Sequence, residues 1–352
     1  MKFISDTALP PFSTLVRGNG INKVRRGPFM PAQVLASDGS EDIGVCLHCP
    51  DMPCMTLSSM ELEFSSKNEI TYLKDDQVCV FDAMRVRANA PVVEASKCTG
   101  CGLCMARCPV GAIFLGDDGK ARVNTAPNRL FAQRADATLA EFDYTIEQLK
   151  QARTDWIVDE ASVSAHIDQV MKRVLKALGA SGPSKNQFSL FVRNLFDAIG
   201  LPAKAGVQGD TSSRTDMVFV HGPMEGIAEL EMSDDLLDSA RRLMADVAIA
   251  RGRYSVPAKR ILPTLVCSTL PNARSDIYEV LGDINKVLGV QVRVVPVAAL
   301  VLWLLYGIRP GAIDLTSGFI LDKTKKDLIP DVVRPLPAKV ALPESAYFKA
   351  MK

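Results

Sequence analysis

Hydrophobic positions recur along this chain with two periods, and the switch between them separates its parts. Between Thr138 and Gln151 the apolar residues Leu139, Phe142, Ile146 and Leu149 fall three or four apart. Between Val163 and Leu178 so do Ile167, Val170, Met171, Val174 and Leu178. Such spacing puts each set on one helix face, so two amphipathic helices are expected. The breaker-rich stretch from Gly179 to Asn186 interrupts them. Phe188, Phe191, Val192, Leu195, Phe196 and Ile199 then line a further helical face, which Gly200 stops.

Beyond Gly200 the period shortens. The run T-D-M-V-F-V (215–220), the turn H-G-P-M-E-G and the run G-I-A-E-L-E-M (226–232) predict a β-hairpin. Ser233 is placed to cap a helix with Asp234 and Asp235 in its first turn. The buried stripe of that helix is expected at Leu236, Leu237, Ala240, Leu243, Met244, Val247 and Ala248. A continuous apolar strand (261–270), a helix (275–288) and a strand (290–297) follow. Strands alternating with helices imply a partly parallel central sheet. Val297 to Ile308 is the most apolar run; it is too short to span a bilayer as a helix and is expected to be buried. The tail from Arg309 is dotted with prolines and is expected to wrap the surface.

These patterns predict an α+β chain with an N-terminal module over residues 1–120, a helical bridge over 121–186 and a C-terminal α/β domain over 187–352. A length of 352 residues suffices for two or three domains. The 47% hydrophobic and 23% charged content excludes a disordered chain. A net charge of +1 provides no global reason for nucleic-acid or membrane binding. The proline-dotted first 44 residues, with Lys23, Arg25 and Arg26, read as a solvated lead-in. No secretory signal pattern is present, and the nine cysteines are spaced for metal rather than disulfides. A reducing cytoplasm without membrane association is the expected setting.

The chemistry begins at Cys98. The run C-T-G-C-G-L-C-M-A-R-C-P places Cys98, Cys101, Cys104 and Cys108 at spacings x2, x2 and x3 before a proline, the pattern of a 4Fe–4S site. A second run, C-L-H-C-P-D-M-P-C, holds Cys46, Cys49 and Cys54, with Ser58 where its fourth cysteine would stand. Cys79 opens C-V-F-D-A-M, which parallels C-P-V-G-A-I from Cys108 to Ile113. The two halves form an internal repeat with an insertion between Cys54 and Cys79. Zinc sites pair C-x2-C knuckles across a long gap, so the spacing favours clusters, with a single cluster beside a decayed site as the alternative. His48 inside the first wrap reads as a polar neighbour of the cluster, His166 as a packing or surface residue, and Cys267 as a small buried residue.

Residues 40–118 resemble the two-cluster bacterial ferredoxins. Their crossed ligation implies that Cys46, Cys49, Cys54 and Cys108 hold one cluster and that Cys98, Cys101, Cys104 and Cys79 hold the other. Val80 departs from the family's proline.

A second candidate site lies in the hairpin. Asp216 opens one strand, and Glu229 and Glu231, two apart on the next, face one side. Converging carboxylates suit Mg²⁺ or Mn²⁺, which activates water. With G-D-T-S-S-R-T-D, residues 187–300 resemble the restriction-endonuclease-like, or PD-(D/E)XK, superfamily, with Glu231 at the usual lysine position. The resemblance implies that Asp216, Glu229 and Glu231 are catalytic metal ligands, that Arg214, Arg251 and Arg253 contact phosphate, and that DNA is the partner. Three readings stay open: a Mg²⁺-dependent DNA phosphodiester hydrolase with structural or redox-responsive clusters; a ferredoxin-type electron-transfer subunit whose C-terminal domain docks a redox partner protein; and a nucleic-acid-binding adaptor. A solvated acidic face without catalysis is the bland reading of the carboxylates.

Overall fold

The computed structural model describes residues 46, 52, 54–55, 77–87, 90–108, 112–115, 118–123, 160–180, 185–206, 215–233, 235–306, 308, 310–336 and 340–352. The lead-in, His48, Cys49, Ser58, the helix expected at 138–151, Arg214, Asp234 and the side chain of His166 lie outside the described residues. Those residues fall into two compact units. One holds those up to Ala180 with Trp303–Ile308, and the other those from Lys185 to Leu302 and from Pro310 on.

The first unit contains two antiparallel hairpins. Strands β1 (Met84–Arg87) and β2 (Ala90–Val93) pair with Met84 opposite Val93, and β3 (Ile113–Leu115) and β4 (Ala121–Val123) pair with Ile113 opposite Val123. Met84 and Ile113 stand at the same position of the repeat, five residues after Cys79 and Cys108. Each copy therefore leaves its last cysteine into a strand. Between the hairpins lies α1, a single turn from Leu103 to Ala106. Helix α2 (Glu160–Ala180) completes the unit, and Ile167, Val170, Met171, Val174 and Leu178 are its buried stripe, as their spacing predicts.

The second unit is built on a five-stranded mixed sheet. Helix α3 (Lys185–Ala198) leads into β5 (Ala203–Ala205), β6 (Met217–His221) and β7 (Met224–Glu231), an antiparallel meander. Helix α4 (Leu236–Gly252) carries the chain to β8 (Ile261–Cys267), parallel to β7. Helix α5 (Ile277–Leu288) leads to β9 (Arg293–Pro296), parallel to β8. Helix α6 (Val297–Leu305) follows, then a short α7 (Ile329–Val333) in the tail. All residues of β8 and β9 are buried, which explains their unbroken apolar runs. The apolar run after β9 is helical, with Val297 to Leu302 at most 1% exposed. Among the described residues no helix is long and apolar enough to cross a membrane.

Three local expectations shift. The strand expected to reach residue 270 ends at Cys267, because Ser268 turns its amide to Glu231 O and its hydroxyl to Met232 O. The strand expected at 290–297 shortens to four residues as Val297 enters α6. The cap of α4 is Asp235, whose carboxylate accepts from the Leu237 amide. Ser233 is engaged one turn earlier: its hydroxyl donates to Glu231 and accepts from the Asp235 amide.

The sheet core depends on a close approach at Gly226. A Cβ there would lie 2.2 Å from Cε1 of Phe219, whose ring packs against Phe196 at a centroid separation of 4.8 Å. Gly226→Ala should therefore destabilise the second unit by about 2 kcal/mol through overpacking. Phe219→Leu in the same chain should recover part of that loss, read as urea midpoints of the two variants.

Candidate functional site

Gly100 and Gly102, with φ of 76° and 84°, take a left-handed backbone that bends the segment after Cys98 back on itself. A cavity results, walled by Phe81, Met84, Val93, Leu103 and Ala121, and Cys79, Cys98, Cys101 and Cys104 all line it. Cys79 comes from the other copy of the repeat. Cys108 is not among the lining residues; it is buried, and the Ala112 amide donates to its sulfur at 3.2 Å.

The thiols strain against one another. Burial pushes Cys101 up to about 12, and Cys79 and Cys98 repel its thiolate further. Burial also raises Cys104 well above the ordinary thiol range, and repulsion from Cys101, Cys98, Cys79 and Cys54 adds to it. Cys79 is raised by burial, against three backbone hydrogen bonds that favour its thiolate. A bound metal deprotonates coordinating thiols and would offset the burial that opposes their charge. Further donors face the other sulfurs: the Ala121 amide reaches Cys98 Sγ at 3.3 Å, and the Leu103 backbone and Thr99 favour the Cys101 thiolate. The Thr99 hydroxyl is buried without a hydrogen-bond partner of good geometry. A sulfur-rich cluster would supply its acceptor, so this donor set fits a 4Fe–4S group.

In the other copy, Cys46 and Cys54 are buried. The Val78 amide donates to Met55 O at 2.9 Å, which closes the insertion and sets Cys79 next to the first run. Cys54 lies near enough to Cys104 to raise its pKa.

The carboxylates of the second unit meet a cation from the protein itself. Arg242 of α4 donates from Nε to Glu229 Oε2 at 2.8 Å, from Nη1 to Asp238 Oδ2 at 2.6 Å, and its Nη2 lies 3.6 Å from Glu231 Oε2. Asp216 accepts from the Leu230 amide at 3.0 Å. Glu229 is 1% exposed, and burial pushes it up to about 9, with Asp216 and Asp246 adding repulsion and Arg242 opposing them. Glu231 goes the other way. Burial works against its charge, but the Ser233 amide and hydroxyl and the Ser239 hydroxyl hold it below the usual range.

Among the described residues no three or more His, Cys, Asp or Glu side chains form a group that could hold a single metal ion. A four-iron cube differs, since it carries its cysteines on separate irons. Arg251 and Arg253 lie at the far end of α4, Arg251 about 14 Å along the axis from Arg242. Arg242 itself escaped the sequence reading because the stripe on α4 is rotated. Ser239 and Asp246 are buried, whereas Leu237 and Met244 are only half-buried and Ala248 is exposed. Asp238 and Arg242, four apart, were the one available signal.

A family model described as a 4Fe-4S binding domain matches residues 91–114. Over 70 residues the chain is 27% identical to an uncharacterized ferredoxin of Methanocaldococcus jannaschii, covering 20% of this chain and 32% of that protein. Over 94 residues it is 35% identical to a formate dehydrogenase iron-sulfur subunit of Wolinella succinogenes, covering 26% of this chain and 36% of that protein. The chain thus spans about a third of the length of these relatives. No solved structure matches it. The matched segment contains Cys98, Cys101, Cys104 and Cys108, and this chain binds a 4Fe–4S cluster. The endonuclease resemblance finds no support in these matches.

The Glu229–Arg242 pair has a pH signature. A carboxyl raised in the folded state from 4.5 to about 9 contributes stability that is fully present below 4.5 and lost as pH rises toward 9. Glu229→Gln should flatten this part of the stability profile between those limits, measured by urea unfolding across pH. Arg242→Met should cost about 2 kcal/mol near pH 8, because a buried acceptor loses its charged donor. In the Glu229→Gln background that cost should shrink.

Proposed function

We propose that this chain is a two-cluster, ferredoxin-type electron carrier whose C-terminal α/β unit is a non-catalytic docking module for a redox partner protein. The observation carrying this reading is the composition of the cavity, which gathers Cys79 with Cys98, Cys101 and Cys104 and leaves Cys108 out. Crossed ligation then assigns Cys108 with Cys46, Cys49 and Cys54 to a second cluster. The formate dehydrogenase iron-sulfur subunit among its relatives supports a place in an electron-transfer assembly.

When bound, a 4Fe–4S group supplies storage for one electron at a time. The chain's own residues prepare the site for that. Cys79, Cys98, Cys101 and Cys104 supply thiolates once their protons leave. The Ala121 amide and the Thr99 hydroxyl face sulfur, where they favour added negative charge. Phe81, Met84, Val93 and Leu103 place apolar surface beside the half-buried cysteines, which lowers the potential relative to a fully exposed site.

A second reading makes Asp216, Glu229 and Glu231 ligands for Mg²⁺ or Mn²⁺ in a DNA phosphodiester hydrolase, with Arg214, Arg251 and Arg253 toward phosphate. It is favoured by the closeness of Asp216 to Glu229, which raises the glutamate's pKa. It requires Arg242 to give up its carboxylates to the ion.

Two assays separate these readings. Iron and acid-labile sulfide should each approach about eight per chain, with Cys79→Ser and Cys108→Ser removing different electron paramagnetic resonance signals; values near four would refute the two-cluster assignment. Anaerobic protein incubated with DNA and Mg²⁺ or Mn²⁺ should leave all substrate forms intact, in both redox states. Cutting that Asp216→Asn abolishes would establish the hydrolase instead.

A further inference from the structure

A side chain of helix α2 reaches the turn that abuts the cysteine loop. Arg173, half-buried on that helix, donates from Nη1 to Gly119 O at 2.7 Å and from Nη2 to Asp118 O at 3.0 Å. The guanidinium thus clasps two successive carbonyls of the turn before β4. On its other side the Gly119 carbonyl abuts the cysteine loop. A Cβ on Gly100 would stand 2.1 Å from that oxygen and 3.5 Å from Arg173 Nη1. Two residues past Gly119, the Ala121 amide points at Cys98 Sγ. Lys120 ties the same turn to Ala95 O.

We propose that Arg173 is a positioning residue for the cluster held at Cys98: it fixes the 118–121 turn so that the Ala121 amide donates to the Cys98 sulfur, and so raises that cluster's reduction potential. The inference rests on the reading that Cys79, Cys98, Cys101 and Cys104 are its ligands. An N–H pointed at a cluster sulfur stabilises the more negative, reduced state. The guanidinium's own charge acts in the same direction across the Gly119 carbonyl. The couple is a one-electron exchange; Arg173 gains and loses no proton, and no bond to it forms or breaks. Lysine at this position would keep the charge but lose the fork that spans both carbonyls.

The test uses the full chain, reconstituted anaerobically with iron and sulfide and titrated with dithionite under electron paramagnetic resonance. The signal to follow is the one that Cys98→Ser abolishes. Arg173→Gln should move its midpoint to more negative potential, so that the reduced-to-oxidised ratio at the wild-type midpoint falls about tenfold, or ~59 mV for one electron. Arg173→Lys should shift it less, and the signal that Cys98→Ser leaves intact should stay in place. Amide exchange at Ala121, followed by mass spectrometry of the 118–123 segment, should quicken in both variants. A wild-type midpoint in an iron-replete Arg173→Gln protein overturns the proposal. Should that variant fail to retain iron, a wild-type midpoint with unchanged Ala121 exchange in Arg173→Lys overturns it equally. A wild-type spectrum indifferent to Cys98→Ser instead overturns the ligand assignment, and the proposal with it.

Discussion

The cost of placing negative charge on thiols gathered in an apolar cavity is the constraint that shapes the site of the N-terminal unit. Cys79, Cys98, Cys101 and Cys104 share one apolar cavity, and burial raises three of them. Among the described residues no side-chain cation lines that cavity. Protonated, these thiols pack as small apolar groups; holding metal would make them the unit's organising centre, because the free energy of ligation is folding free energy. Met84, Ala90, Leu103, Met105, Ile113 and Ala121 of α1 and the two hairpins are buried around that centre.

The second unit resolves a comparable electrostatic problem from within. Asp216, Glu229, Glu231, Asp238 and Asp246 come from three elements, and like charges so placed would oppose folding. Arg242 supplies the compensating charge, and the pair works in both directions: burial raises Glu229, while the bond to Glu229 raises Arg242 against its own desolvation. An arginine cannot be neutralised at any working pH. A divalent ion entering this group must therefore displace a cation that already bonds Glu229 and Asp238 and lies 3.6 Å from Glu231.

The sequence made legible whatever local spacing decides. The stripe of α2, the β6–β7 hairpin, the partly parallel character of the sheet and the repeat that relates Cys79 to Cys108 all follow from local spacing, whereas the β7–β8–β9 order came only with the structure. The register of α4 did not, because Ser239 and Asp246 turn inward toward charged groups on β7, and a hydrophobic pattern is blind to polar residues buried by partners. The cap of α4 was missed for a related reason: Ser233 finds Glu231 as a partner two residues back, leaving Asp235 to accept from the helix. Thr99 stands inside the recognised motif, yet nothing in its spacing says that its hydroxyl turns toward sulfur.

The cysteine motif therefore specifies that iron is held, while the electronic character of the site belongs to the whole unit. Cys98 receives its amide from Ala121, in the strand after the motif. That turn is held by Arg173, fifty-four residues from Gly119. The same C-x2-C-x2-C-x3-C-P run in another chain would meet a different turn and a different helix, and hence a different potential. The ligands are needed for the cluster to exist at all, so its potential is adjusted through the residues around them. The helix between the cysteine loop and the α/β unit, which carries no chemistry in the sequence pattern, thereby has a reason to be there.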